Sequence, residues 1–248
     1  MDKSINSIDD ESWVQRKKIL LILAHPDDPD FFCGAKIAQW CEQGHEVHYF
    51  ILTKGQRGFP DREAERSVVE TTRMREQMDA ARVLGVASVK FSHFLDGDLI
   101  PDLALREEII REIRKQKPQI IVTSDPLNLF PADNRINHPD HRAAGQAVVD
   151  AVFPAAGNPM YDVQDQDGKR LESHQVQELW LSLTSQPNTI FDMTSFFERK
   201  LEAVFCHRSQ IHGGKEQLRE HLRSRCEIDP KTGECHYLEK FKRIILQV

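Results

Sequence analysis

The sequence lacks the features of several broad classes of protein. It contains no apolar stretch long enough to span a membrane and no block of basic residues that would neutralise phosphates or an anionic lipid surface. Its formal net charge is −6, from acidic and basic residues that are interspersed along the chain. We therefore expect no nucleic-acid partner and no membrane insertion. The polar residues 1–17 contain no apolar signal core, which predicts a cytoplasmic location.

Two motifs of common α/β enzymes are also missing. The first predicted strand is not followed by G-x-G-x-x-G, which argues against a dinucleotide enzyme, and no G-x-S-x-G occurs, which argues against a serine hydrolase. Cysteine is scarce, and five residues at irregular spacing do not indicate a disulfide framework. Cys226 and Cys235 lie close in sequence, but without a second cysteine pair they are only a weak zinc-site signal.

What the sequence does contain is an alternation of strand and helix patterns. Residues 18–24 (KILLILA) form a continuous apolar run, typical of a parallel strand covered on both faces. The alternation continues to QIIVTS at 119–124. It predicts an α/β fold with a mostly parallel, doubly wound sheet, helices on both faces and a decorated C-terminal third. We expect a polar extension over residues 1–17 and a single domain over 18–248.

Two His-Pro-Asp tripeptides stand at strand-to-helix junctions. AHPDD ends the first predicted strand, and HPDH opens a helix, because Pro139 suits the first helical position behind a cap at Asn137 or His138. His138 and His141 are three residues apart and share a helical face. Ligands of doubly wound sheets bind at the carboxyl ends of the strands, so we expect one shared site. Six side chains are candidates for its metal ligands and acid–base groups: His25, Asp27, Asp28, His138, Asp140 and His141.

A bound cation would explain the adjacent aspartates. The like charges of Asp27 and Asp28 repel each other, and a plain turn could use Gly, Asn or Ser at lower cost. A catalytic divalent metal commonly takes three protein ligands and leaves a position for water. Nitrogen and oxygen donors without thiolate suit Zn²⁺, and also Fe²⁺ or Mn²⁺.

The sequence resembles the PIG-L/LmbE-like de-N-acetylase family over about residues 18–245. The resemblance rests on AHPDDPD, RMREQMDAARVLGV, FLDGDL, INHPDHRAAGQAVVDAVFPAA and KLEAVFCHRSQ, in that order. It implies a Rossmann-like fold and a zinc-dependent deacetylase that hydrolyses an N-acetyl group, usually on an N-acetylglucosamine conjugate. It also implies that a homo-oligomer can form.

The resemblance assigns roles to the six candidates by position. The implied metal ligands are His25, Asp28 and His141. Asp27 is then the general base that takes a proton from the attacking water. His138 hydrogen-bonds or protonates the tetrahedral oxyanion, and Asp140 orients His138.

Further positions match the family less specifically. Arg57 and Arg62, in the loop after the second strand, could reach substrate hydroxyls or phosphate. Arg73 and Glu76 match an Arg-x-x-Glu pattern and could bind substrate, but a solvated helical ion pair is the alternative.

Two positions near the motifs have open roles. His207 either contacts the substrate or is a buried, hydrogen-bonded residue behind the site, and Asp30, where the family usually has Glu, is expected to support the first motif's loop. The alternative to an enzyme is a noncatalytic metal- or sugar-binding protein on the same fold. Asp27 favours the enzyme, because a pure binding site would not require it. The group attached to the amino sugar is not indicated.

Overall fold

A computed structural model describes residues 15–59 and 63–247. The extension expected over residues 1–17 lies largely outside the described residues, as does Arg62. The strands are β1 (Lys18–Leu23), β2 (Glu46–Thr53), β3 (Ser88–Phe94), β4 (Ile120–Ser124), β5 (Glu178–Ser182), β6 (Thr189–Asp192), β7 (Glu227–Ile228), β8 (Cys235–His236) and β9 (Leu238–Ile245). The helices are α1 (Asp28–Glu42), α2 (Arg66–Leu84), α3 (Leu103–Gln116), α4 (Pro139–Asp150), α5 (Phe197–Val204) and α6 (Lys215–Arg223). The segment Ala151–Ala156 follows α4 and is kinked at Phe153, which precedes a cis peptide bond to Pro154.

Seven strands form the central sheet, in the order β3-β2-β1-β4-β5-β9-β6. The five strands from β3 to β5 in this order pair in parallel, whereas β9 pairs antiparallel with both β5 and β6. The predicted doubly wound, mostly parallel sheet is confirmed. The short strand β6 was not predicted, because its four residues are too few to show a strand pattern. Within the described part of the chain, no helix has the length and apolar character needed to cross a bilayer.

The first strand is buried on both faces, as its apolar run predicts. Ile19, Leu21 and Leu23 face the core that is covered by α1 and α2. Leu20 and Ile22 face a second core, covered by α3 and α4. Because helices cover both faces of the sheet, the loops at the ends of the strands are left to carry the polar site residues, and these lie at the carboxyl ends. There the segments after β1, β2, β3 and β4 meet, and both His-Pro-Asp motifs lie among them.

The C-terminal third contains a disulfide that cysteine counting did not predict. Cys226 and Cys235 are bonded, with Cα atoms 5.5 Å apart. The reason is the small antiparallel hairpin of β7 and β8, in which Ile228 pairs with Cys235. The other three cysteines are free. Disulfides persist mainly in oxidising compartments, so this bond does not support the expected cytoplasmic location.

Candidate active site

The first motif forms a turn between β1 and α1 in a conformation that few residues adopt. Asp27 has φ = 95°, in the region that favours glycine. Its N–H donates to Gln77 Oε1 at 2.8 Å, and its carboxylate Oδ2 accepts from Arg73 Nη2 at 3.0 Å. The same Arg73 nitrogen also donates to the carbonyl oxygen of Pro26 at 2.5 Å. Two residues one turn apart on α2 thus hold the backbone and the side chain of Asp27.

The second motif opens α4 in the manner that its proline predicts. Pro139 occupies the first turn, and His138 is the cap, with Nδ1 accepting the N–H of Asp140 at 3.2 Å. Asn137, the other capping candidate, instead places Oδ1 2.9 Å from His141 Nδ1. Because Nδ1 of His138 is an acceptor, the proton of the neutral ring lies on Nε2. His138 is exposed and lines the same cleft as the first motif.

Three residues from the two motifs bring their donor atoms together at the floor of this cleft. His25 Nδ1 lies 3.3 Å from His141 Nε2 and 3.4 Å from Asp28 Oδ2, and His141 Nε2 lies 3.0 Å from Asp28 Oδ1. Donor atoms bound tetrahedrally at about 2.1 Å from a zinc ion are separated by about 3.4 Å. The His25, Asp28 and His141 donor atoms therefore match the separation that a small divalent cation requires.

The remaining nitrogen of each imidazole in this triad is held by an oxygen. His25 Nε2 lies 3.2 Å from Asp140 Oδ2 and 3.1 Å from Asp96 Oδ1. His141 Nδ1 is held by Asn137, as described above. Such partners fix the tautomer and orient metal-binding histidines. Sequence reasoning missed Asp96 and Asn137 as site residues, although both lie in segments that carry the family resemblance, FLDGDL and INHPDH.

Asp140 orients His25 rather than His138, which corrects the role expected from the resemblance. Its fully buried carboxylate accepts the N–H of Gly97 at 2.6 Å and the N–H of Leu99 at 3.3 Å, in addition to its contact with His25. Only the backbone N–H of Asp140 contacts the His138 ring. The first turn of α4 points this side chain inward to the loop after β3, whereas His138 stands outside the turn.

A second group of donors, His25, His138 and Asp140, also lies within metal-binding distance. The triad with Asp28 and His141 fits a cation better, because both Asp140 oxygens are already occupied by backbone N–H groups of the β3–α3 loop. Asp28, by contrast, accepts a backbone N–H, that of His25, at Oδ2 and keeps Oδ1 for the cation.

Burial and charge separate the two adjacent aspartates. Burial raises the pKa of Asp27 above its usual value, although the charge of Arg73 opposes this. Burial alone would raise the pKa of Asp28 too, but the charges of His141 and His25 hold it far below the usual range. Such divergence between neighbouring carboxyl groups is typical of sites with divided acid–base roles.

The flanking groups respond to the same charges. Burial opposes ionisation of Asp96, but its hydrogen bond and charge interaction with His25 bring its pKa down to about 2. Burial, and then the charge of His25, lowers the pKa of His138. His138 is therefore favoured as a neutral ring near pH 7, able to donate from Nε2.

Arg73 and Glu76 could bind substrate or form a solvated ion pair on their helix, and the structure does not show the ion pair. Both side chains are buried. Arg73 contacts Asp27, while the Glu76 carboxylate accepts from the N–H and hydroxyl of Ser209 at 2.8 and 2.6 Å. Arg57 lines the cleft, and its guanidinium is paired with Asp98 at 2.6 and 2.7 Å.

His207 agrees with the buried alternative rather than with direct substrate contact. The side chain is fully buried, and Nε2 lies 2.8 Å from Asp30 Oδ2. Asp30 also accepts from Gln77 Nε2 at 2.7 Å, and Gln77 in turn holds the N–H of Asp27. His207 therefore belongs to a chain of hydrogen bonds beneath the first motif, and Asp30 supports the motif as expected.

The cleft above the triad has a volume of about 1140 Å³. Its lining contains the triad, Asp27 and His138, and also residues from the C-terminal part of α6 and the segment before β9. Four aromatic side chains contribute to the lining: Phe31, Phe32, Phe197 and Tyr237. The ring of Phe32 packs edge-on against His141, with centroids 5.3 Å apart. The cleft can therefore receive an organic substrate directly beside the triad.

The sequence of residues 20–152 matches the PIG-L family, described as GlcNAc-PI de-N-acetylase. The chain belongs to this family. The matched segment contains both His-Pro-Asp motifs, so the triad and Asp27 of this PIG-L family protein lie within it.

Two similar proteins are deacetylases and a third is a hydratase. The diacetylchitobiose deacetylase of Thermococcus kodakarensis is 34% identical over 195 residues, which are 79% of this chain and 70% of the relative. The solved N,N′-diacetylchitobiose deacetylase from Pyrococcus horikoshii aligns with a TM-score of 0.80 and 28% identity, covering 92% of this chain and 84% of that one. The 4-oxalmesaconate hydratase of Pseudomonas putida is 27% identical over 214 residues, 79% of this chain and 75% of the relative.

Proposed function

We propose that this PIG-L family protein is a zinc-dependent hydrolase that removes the N-acetyl group from a small N-acetylglucosamine conjugate. The observation that carries the proposal is the placement of a separate ionisable carboxylate, Asp27, next to the His25, Asp28 and His141 triad at the floor of an open cleft. The similarity to two diacetylchitobiose deacetylases supports the reaction and the sugar. We further propose that residues 18–248 form one catalytic domain, since its central sheet runs from Lys18 to Ile245.

His25 Nδ1, His141 Nε2 and Asp28 are the groups that would hold the metal. Bound there, a divalent cation supplies Lewis acidity, which lowers the pKa of water and polarises the acetyl carbonyl. The donor set suits Zn²⁺ and also accommodates Fe²⁺ or Mn²⁺. Asp96, Asp140 and Asn137 keep the two imidazoles in the tautomers that leave their ligating nitrogens free.

Asp27 acts as the general base that takes a proton from the attacking water. Its raised pKa brings it closer to the operating pH, where a base is most effective. The ion pair of Oδ2 with Arg73 holds the carboxylate in one orientation. The same group can return the proton to the departing amine, so that one water adds across the amide bond and acetate and a free amine are released.

His138 stabilises the oxyanion that forms when water attacks the acetyl carbonyl. Its Nδ1 is occupied as a helix cap, so Nε2–H is the donor that remains for the cleft. A neutral imidazole donor aimed at developing negative charge is an effective electrostatic catalyst. Asp140 supports this arrangement indirectly, by fixing His25, whose ring lies edge-on to His138 with centroids 4.6 Å apart.

Two other functions are compatible with the family, and an assay of amine release distinguishes both from the deacetylase. The similarity to a hydratase makes addition of water to a carbon–carbon double bond a second candidate reaction. The noncatalytic binding protein is the third. Only the first proposal predicts release of a free amine.

The experiment measures metal content and amine release together. Protein purified without added metal is analysed for bound elements, and amine release from diacetylchitobiose and other N-acetylglucosamine conjugates is followed before and after chelation. We expect about one zinc per chain and chelator-sensitive release that returns with zinc. Metal without amine release from any conjugate would overturn the deacetylase, and absence of binding after reconstitution would overturn the triad.

Two variants separate the roles of the motif residues. Asp27→Ala should retain the metal and lose about two or more decades of turnover, because it removes a general base but no ligand. His141→Ala should lose the metal itself. Matched controls are Asp79→Ala and His93→Ala, since Asp79 is paired with Arg82 on the surface and the His93 side chain is exposed. Normal turnover in Asp27→Ala, or full metal content in His141→Ala, contradicts the assignment.

A further inference from the structure

The cleft is larger than an acetylated monosaccharide requires. Its volume of about 1140 Å³ exceeds that of most small-molecule pockets. Its lining includes Arg225, which follows α6, and Arg135, from the loop that precedes α4. A group attached to the amino sugar can therefore meet these two arginines within the same cleft.

Most of the basic side chains in this cleft are neutralised by carboxylates. Six lysine and arginine residues line it, and four of them have an acidic partner: Arg57 with Asp98, Arg73 with Asp27, Lys200 with Glu239, and Lys240 with Glu227. The whole chain has 39 acidic residues for 33 basic ones, so carboxylates are plentiful. A cleft cation without such a partner departs from this pattern.

Arg135 and Arg225 are the two departures. Across residues 15–59 and 63–247, neither guanidinium has a carboxylate within ion-pair distance, and the side-chain partner of Arg225 is His221 Nε2 at 2.8 Å. Both arginines line the same cleft, and burial, followed by the charge of Arg135, lowers the pKa of Arg225. Two like charges without a carboxylate partner form a region of positive potential in the cleft.

A side-chain hydrogen bond holds Arg225, and Arg135 is close in sequence to a residue that contacts the triad. Arg225 is braced by His221 from the last turn of α6, and the next residue, Cys226, is tied to β8 by the disulfide. Arg135 stands two residues before Asn137, which hydrogen-bonds His141 of the triad. A substrate that binds both arginines is thereby oriented relative to the triad.

We propose that Arg135 and Arg225 form a subsite for an oxyanion, a carboxylate or a phosphate, carried by the group attached to the amino sugar. This inference rests on the proposed function and narrows its substrates to acidic conjugates. Guanidinium groups bind both oxyanions through paired, charge-assisted hydrogen bonds. His221 accepts a hydrogen bond from Arg225 and acts as its positioning residue.

The test uses glycosides of N-acetylglucosamine that differ only at one end. Alkyl linkers of increasing length terminate in a methyl group, a carboxylate or a phosphate, and amine release is measured for each. We expect kcat/KM to be about tenfold or more higher for the charged series at the best linker length. That advantage should decline with added salt, because the arginines are exposed to solvent. The better of the two charged series identifies the oxyanion.

Variants locate the effect. Arg135→Gln and Arg225→Gln should each lower kcat/KM for the charged glycosides about tenfold, mainly through KM, and leave the methyl-terminated series within about twofold. Arg225→Lys should recover part of the loss, because it restores the charge without the planar fork. Arg75→Gln, an exposed residue of α2 outside the cleft lining, is the matched control. Equal losses for charged and methyl-terminated glycosides would overturn the subsite.

Failure of the subsite and failure of the proposed function give different results. If the wild-type protein releases amine but does not prefer charged glycosides, the deacetylase stands and the subsite is refuted. If it releases no amine, the deacetylase is refuted, and the same glycosides are titrated by calorimetry into wild-type protein and the double Gln variant. A preference for charged glycosides that the double variant loses supports the subsite, and equal binding by both proteins overturns it.

Discussion

Replacement of Gln77 by leucine should disturb the catalytic turn from beneath. The Gln77 side chain is fully buried, accepts the N–H of Asp27 at 2.8 Å and donates to Asp30 at 2.7 Å. Leucine is similar in size but can make neither hydrogen bond. The variant leaves the catalytic carboxylate, its ion pair with Arg73 and the metal ligands chemically unchanged. Any effect on turnover therefore arises from the position of Asp27.

The expected magnitude follows from the two hydrogen bonds and the strained backbone. A neutral hydrogen bond contributes about 1 kcal/mol and one to a charged group about 2 kcal/mol, so Gln77 supplies about 3 kcal/mol. The left-handed conformation of Asp27 costs about 1–3 kcal/mol. With the anchor removed, relaxation of Asp27 recovers part of the loss. We expect the free energy of unfolding to fall by about 2 kcal/mol and kcat by about 10- to 100-fold, because the base is displaced.

Urea denaturation and steady-state amide hydrolysis, at equal metal content, measure both effects. The control is Gln146→Leu, because Gln146 is exposed on α4 and its side chain donates to Asp150 on the same helix. Its unfolding free energy should change by less than about 0.5 kcal/mol. A Gln77→Leu protein with the kcat of wild type would refute the idea that α2 positions the base, even if its stability fell.

Two other buried polar groups lead to predictions of stability. Burial opposes protonation of His207, but its hydrogen bond to Asp30 outweighs this and raises the pKa, so the folded state binds the proton more tightly than the unfolded chain. The wild-type protein should therefore have a higher free energy of unfolding than His207→Gln. This difference should be fully present below about pH 6.5 and should decline as the pH rises through the folded-state pKa of His207. A difference that does not change with pH would contradict the prediction. Arg114→Met should lower the free energy of unfolding by about 3 kcal/mol or more. The control Arg106→Met, on the same helix, should lower it by less than about 0.5 kcal/mol. Equal losses in the two variants would refute the special role of Arg114. Its buried guanidinium donates to five backbone carbonyl oxygens, those of Ala155, Ala156, Asn158, Tyr161 and Leu171.

The sequence was sufficient to predict the sheet and the two motifs because their signals are local. Successive side chains of the run KILLILA face two different cores in turn. Only a strand that is covered on both faces needs apolar residues at every position. Pro139 likewise marks the start of α4 by its own geometry. The convergence of the two motifs follows from the parallel topology, which brings the carboxyl ends of β1 and β4 to one edge.

The supporting residues could not be predicted in this way, because their partners are distant in sequence. Gln77 shares the buried face of α2 with Arg73, Ala80 and Ala81, but neither its spacing nor its polarity indicates that it bonds the N–H of Asp27 and the carboxylate of Asp30. Asp96 contacts His25 only because β3 ends near β1 across an intervening strand. Lys36 is buried in α1, and its ammonium lies 3.6 Å from the centroid of the Phe191 ring on β6. This contact, too, depends on the fold.

The charge balance around His25 gives an argument for the cation that does not depend on distances between ligands. Three carboxylates contact this single imidazole, those of Asp28, Asp96 and Asp140, and each is nearly or fully buried. Asp27, one residue further on, has Arg73 as its counterion. Even if both His25 and His141 were protonated, the three remaining carboxylates would exceed the positive charge, and buried charge without compensation is costly. A divalent cation at the triad supplies the same two positive charges while both imidazoles stay neutral, and neutral imidazole is the form that binds metal. The one net negative charge that remains is stabilised by the backbone N–H groups of Gly97 and Leu99 on Asp140 and of Arg57 on Asp96. The two adjacent aspartates at the end of β1 are thus compatible with burial because one lies against an arginine and the other is placed to bind the cation.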